Sequence, residues 1–223
     1  VIVSRLANIM QQPFTGSLID TTPKHDALEF VKMEFRILIG SSTLGTLLGI
    51  LLLPTFIAIF SRAIIHLSNN RGSVSALMKK GANIAFLKRG IKHIHLPRWS
   101  YIKDINLSNV PKQLFFFNMV VTAVYTVGAL SALYASLIVP EWRNTAIMAS
   151  GLINGIATIL LAIFVDPKIS ILADDVVNRK GNYITLKSIS IMMVTSKLFG
   201  TILAQFLLVP GAYYIAWLTK FIA

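Results

Sequence analysis

Four stretches of this chain stay apolar for more than twenty residues: 37–60, 114–139, 145–165 and 198–222. A helix needs about 20 such residues to cross about 30 Å of hydrocarbon, so each stretch predicts a membrane span. None contains Asp or Glu. Their one basic residue, Lys220, stands at an end, where its ammonium can snorkel to the interface. The pattern predicts an all-α polytopic membrane protein with four complete spans. Residues 1–10 (VIVSRLANIM) read as the end of an earlier apolar segment. Because the chain starts at Val1, the expectation is that a further N-terminal stretch precedes it. The expected organisation is one transmembrane domain over 1–223.

Between the spans the pattern changes. Thr22-Pro23 reads as a helix cap followed by a first-turn proline. Leu28, Val31, Phe35 and Leu38 then recur near helical spacing, so a helix is expected to run from Lys24 straight into the first full span. Pro54 lies inside that span and predicts a bend. Residues 68–97 interleave apolar side chains with lysines and arginines, a pattern suited to amphipathic basic helices lying at the membrane surface. Asp166-Pro167 repeats the cap-and-proline signature and predicts a short cytoplasmic helix over 167–180. A further segment, 183–196, is expected to continue into the last span.

Charge gives a direction to these spans. The chain carries a net charge of +12 with only 13% charged residues, well below the roughly 25% of soluble domains. In a soluble protein that balance would suggest nucleic-acid binding; here it points to a basic membrane face and to no nucleic-acid partner. Alternating the four spans places fifteen Lys and Arg on one side and six on the other. The positive-inside rule makes the rich side cytoplasmic and puts the C-terminus outside. The basic loops also suit contact with anionic phospholipid, each nearby cation contributing about 1 kcal/mol.

Catalytic chemistry is sparse. The chain has no cysteine. Asp174-Asp175 lacks a partner carboxylate at helical spacing, and a solvated helix face accounts for it. His93 and His95 stand two apart without a third ligand nearby. The expectation is no enzyme, no metal and no cofactor.

Polar residues at membrane depth are the candidates for function. Arg5, Asn8 and Gln12 share one helix face at spacings of three and four. Arginine there is expensive and must face protein, water or an anion, and its fork matches phosphate oxygens. That face either holds a lipid phosphate, or Arg5 snorkels outward or pairs with Glu29 or Glu34. Glu34 and Arg36 border the outer end of the first span, and Arg62 its inner end. Asn118, Asn154 and Gln205 lie inside spans, where interhelical hydrogen bonding is the default and lining a polar path the alternative. Three small-residue stripes (Ser41, Gly45, Gly49; Gly128, Ala132, Ser136; Gly151, Gly155) allow close helix packing. Packing within one chain is the first expectation for them, and a homodimer the alternative.

The run Ser4-Arg5-Leu6-Ala7-Asn8-Ile9-Met10-Gln11-Gln12-Pro13, reading S-R-x-A-N-x-x-Q-x-P, resembles the Amj-type lipid II flippases of bacteria. The acidic amphipathic segment, glycine-rich span and basic loop that follow extend the resemblance over most of the chain. It implies export of a polyprenyl-diphosphate-linked peptidoglycan precursor across the bacterial cytoplasmic membrane. It also implies a further N-terminal span with its own charged motif, and assigns no catalytic residue. On this reading Arg5, Asn8, Gln12, Glu34, Arg36, Arg62, Asn118 and Asn154 are candidates to contact lipid II. Arg5 and Arg36 would act at the outer exit and Arg62 in recruitment. A small-ion or metabolite transporter, a polyprenyl-lipid enzyme and a non-transporting scaffold are the competing classes.

Overall fold

The computed structural model describes residues 2–22, 26–69, 112–177 and 183–222; side chains are described for most of these, beginning at Met10. Six α-helices appear among them: α1 Ile2–Asp20, α2 Ala27–Asn69, α3 Lys112–Ile138, α4 Arg143–Leu160, α5 Asp166–Val177 and α6 Tyr183–Ile222. Four stretches are long and apolar enough to cross a membrane: Ala27–Thr55, Lys112–Ile138, Pro140–Ile171 and Ser188–Ile222. These are the four spans the hydrophobic pattern predicts. The all-α fold is thus as expected, and the protein is a multi-pass membrane protein. The surface helices expected over 68–97 fall almost entirely outside the described residues.

Two element boundaries differ from expectation. Thr22 does not open a helix: its hydroxyl donates back to the Leu18 carbonyl at 2.6 Å and closes the end of α1. Asp26 takes the capping position of α2 instead. It sits in the left-handed region (φ 66°), which Asp tolerates, and its carbonyl accepts the Phe30 N–H at 3.1 Å. Nor does the chain break at Asp166, whose φ and ψ are −59° and −44°. Pro167 cannot donate to a preceding carbonyl, and a widened π turn at Leu161–Val165 absorbs that loss while α4 passes into α5. By contrast, 183–222 form one 40-residue helix, as the sequence suggests.

The chain divides into two units, Val1–Thr46 with Asn106–Ala223, and Leu47–Ile105. In the second, the described part is the continuation of α2, with Pro54 inside the helix and Thr55 buried. The first holds α1, the start of α2 and α3 to α6. Its core is a continuous cluster: Val31, Phe35 and Ile39 of α2 meet Val127 and Leu130 of α3, Leu208 and Ile215 of α6, and Ile19 of α1. Of the predicted α2 stripe, Val31 and Phe35 are buried, Leu38 is half-buried and Leu28 is exposed.

Helices α3 and α6 are locked together by close approach and buried polar bonds. A Cβ on Gly200 would lie 2.7 Å from both the Met119 carbonyl and Thr122 Cβ. Asn118 Nδ2 donates to Ser196 Oγ at 2.6 Å, and Ser131 Oγ to the Leu208 carbonyl at 2.9 Å. Contacts advance in the same direction on both helices, so α3 and α6 run parallel. Between α3 and α4 they advance in opposite directions, Gly128 against Asn154 and Tyr125 against Thr158. The short 3-10 turn Pro140–Trp142 makes that reversal. Exposed Trp142, Tyr213, Tyr214 and Trp217 therefore gather at one end of the unit. That is the placement expected of side chains at a membrane–water boundary.

Candidate functional site

Helix α4 is amphipathic in the sense that suits lipid. Met148, Leu152, Ile156, Ile159 and Ile163 form an exposed apolar stripe. Arg143, Ser150, Asn154 and Thr158 recur on another face, at the same helical spacing. Hydrocarbon offers such polar groups no partner, so they gain by turning toward protein or a hydrated space.

At the Arg143 end this face borders a cleft of about 370 Å³, open on one side. Three helices build it. From α1 come Gln12, Gly16, Ile19 and Asp20, at the i, i+4, i+7, i+8 spacing of one face. From α3 come Ala129 and Leu133, and from α4 Arg143, Asn144, Ile147 and Ser150. Arg143 Nη2 donates to Asp20 Oδ1 at 3.2 Å, tying the end of α1 to the start of α4. Both side chains are open to solvent, so the bond contributes 1 kcal/mol at most, roughly. The cleft thus combines an ion pair, two carboxamides and a hydroxyl with apolar walls. It can hydrogen-bond a polar ligand and still lie against hydrocarbon.

Farther along α4, Asn154 Oδ1 is buried and has no hydrogen-bond partner among the described residues. It packs where Gly128 leaves room: a Cβ at position 128 would overlap it. Next on the same face, Thr158 Oγ1 hydrogen-bonds Tyr125 Oη and also donates to the Asn154 carbonyl at 2.8 Å. A second hollow, shallow and about 470 Å³, lies over α2 and α6 between Ser41, Thr43 and Gln205. There Gln205 Nε2 donates to the Arg36 backbone carbonyl at 2.9 Å.

The structure therefore places the predicted residues unevenly. Gln12 lines the cleft. Arg5 and Asn8 belong to α1 and Arg62 to α2, but their side chains are outside the described residues. Glu34 is half-buried and Arg36 exposed on α2. Asn118, 1% exposed, spends its Nδ2 on Ser196 and on the Met193 carbonyl at 3.1 Å, inside the α3–α6 seam. Asn154 keeps an open acceptor. Among the described residues, no group of three or more His, Cys, Asp or Glu could hold a metal. Sequence reasoning passed over Arg143, Asp20, Asn144 and Ser150. The signal was available: Arg143 is the lone cation of a very short loop, and Ser150 stands four before Asn154.

Known proteins match this chain over nearly all its length. A family model described as "Amj: Alternate to MurJ" matches residues 1–219. A protein of Bacillus subtilis (strain 168) named "Lipid II flippase Amj" is 58% identical over 220 residues, which is 99% of this chain and 81% of that one. No solved structure matches.

Proposed function

The chain belongs to the Amj family, the alternates to MurJ, and from that membership we propose that it is a lipid II flippase of the bacterial cytoplasmic membrane. The carrying observation is the identity with the Bacillus subtilis flippase, which runs through every span. Its work is translocation, not catalysis. Lipid II joins a polyprenyl tail through a diphosphate to a sugar–peptide headgroup. The tail stays in lipid while the headgroup crosses, and each unpaired polar group in hydrocarbon costs several kcal/mol, roughly. A polar face shielded from lipid removes that penalty. Among the described residues, the cleft between α1, α3 and α4, with the polar face of α4 beyond it, supports this reading.

In this reading the fifteen-cation side faces the cytoplasm and the C-terminus faces out. The basic segment over 68–97 draws anionic phospholipid and substrate to the inner surface. Gln12 belongs to the headgroup face, and Arg5 and Asn8 extend it along α1. Glu34, Arg36 and Arg62 flank the first span, and Asn154 supplies an acceptor at depth. Asn118 shapes this face through the α3–α6 seam. Among the described residues nothing lies within 4 Å of where a Cβ of Gly151 or Gly155 would be, and that open stripe is where a second copy would pack.

Expression in bacteria depleted of their own lipid II flippases tests the function. Growth restored by the full-length protein supports it; cells that lyse although the protein is inserted contradict it.

A further inference from the structure

We propose that Arg143 anchors the diphosphate of the lipid-linked headgroup, and that Asp20 is a placeholder which the diphosphate displaces. The proposal rests on the flippase reading and assigns that substrate's anionic group to one side chain. Three observations carry it.

The first is the form of the ion pair. Guanidinium and carboxylate can meet through two parallel bonds, but here one is made, Nη2 to Oδ1 at 3.2 Å. The carboxylate is 74% exposed and the guanidinium 44%. A pair so placed holds the fold weakly and is readily exchanged. A diphosphate brings more charge and more acceptor oxygens than a carboxylate, and the planar fork matches phosphate geometry.

The second is location. The pair sits on the wall of the 370 Å³ cleft, beside Gln12, Asn144 and Ser150. Three neutral polar side chains thus share the cleft wall with Arg143 and could meet the sugars of a bound anion.

The third is the buried, unpaired Asn154 Oδ1 on the same α4 face. Eleven residues separate it from Arg143, about 16 Å along a helix axis. A free diphosphate cannot span that distance. An extended headgroup can, with its diphosphate at Arg143 and the N–H or O–H groups of its sugars reaching Asn154 as the helices part. Losing Asp20 from Arg143 removes one surface tie between α1 and α4, while Ile19 keeps α1 in the core.

The test uses full-length protein in detergent micelles with farnesyl diphosphate as the probe, and farnesol and inorganic diphosphate as controls. Asp20→Asn is expected to tighten farnesyl diphosphate binding about two- to fivefold, by removing the competitor. Arg143→Gln is expected to weaken it about tenfold or more, with Arg143→Lys intermediate. The charge-swapped pair, Asp20→Arg with Arg143→Asp, separates anchoring from mere tethering. It is expected to regain thermal stability without regaining wild-type binding. Unchanged affinity in Asp20→Asn, wild-type affinity in Arg143→Gln, or inorganic diphosphate binding as tightly as the farnesyl probe would each overturn the proposal. Lipid II transport measured alongside separates the two readings. If wild type transports and Arg143→Gln transports equally well, the anchor is wrong and the function stands. If wild type moves no lipid II, both fall.

Discussion

Asn118 and Ser196 lie seventy-eight positions apart in the chain, yet the Asn118 amide donates to the Ser196 hydroxyl at 2.6 Å inside the α3–α6 seam. Ser196 Oγ in turn donates to the Met193 carbonyl at 2.8 Å, so the three groups close a small buried network. In Asn118→Leu the network loses two bonds, but Ser196 keeps its backbone partner. The expected destabilisation is about 1 kcal/mol, near the upper part of the range for polar pairs between membrane helices. Unfolding of the purified protein by titration with a denaturing detergent measures it.

Glycines of this chain separate into two kinds, and alanine substitution tells them apart. At Gly200 a Cβ would meet backbone and a branched side chain of α3 at 2.7 Å, so the two helices must move apart. Gly200→Ala is expected to cost roughly 1–3 kcal/mol. Gly151 meets none of the described residues within 4 Å, and Gly151→Ala is expected to be neutral or slightly stabilising through helix propensity. Thermal unfolding midpoints of the two variants in the same micelle give the comparison.

Gly16 lines the cleft, and among the described residues nothing lies within 4 Å of where its Cβ would be. Gly16→Leu places its side chain in the cleft from a position where the Cβ itself is accommodated, and leucine favours the helix over glycine. The expected outcome is protein as stable as wild type that transports lipid II several-fold more slowly. Full-rate transport by this variant would take the cleft out of the path.

These 223 residues contain no cysteine, so a single cysteine introduced among them is the one thiol they present. Glu141→Cys, in the short turn between α3 and α4, is expected to react with a membrane-impermeant maleimide on intact cells. Gly90→Cys, in the basic segment, is expected to react only after permeabilisation. The reverse pattern would invert the orientation derived from charge.

The spans were legible because hydrocarbon imposes one condition on every residue, and 37–60 or 198–222 satisfy it by composition alone. What those spans touch was less legible. Small residues reveal where a helix face is flat, not what covers it. Gly128 does pack against a neighbour, while Gly45, Gly151 and Gly155 meet none of the described residues within 4 Å. The tight approach at Gly200 lies on a stripe of its own, Ser196, Gly200 and Ala204, which the sequence reading passed over. Asp26 stands before α2 with a left-handed backbone, a conformation the flanking sequence does not advertise. The cleft was hidden for a related reason. Asp20 and Arg143 stand 123 positions apart, and only the packing of α1 against α3 and α4 brings them together. Gln12 was found because its helix face is local; its partners were not.

Reconstitution with fluorescent lipid II tests the central claim most directly. Full-length protein is placed in vesicles carrying labelled lipid II in both leaflets, and a membrane-impermeant quencher reports the fraction exposed. Empty vesicles protect the inner half. The account predicts that the protein brings that inner pool to the quencher, while labelled phosphatidylglycerol remains protected. Vesicles that hold correctly inserted protein and still shield half of their lipid II would contradict it.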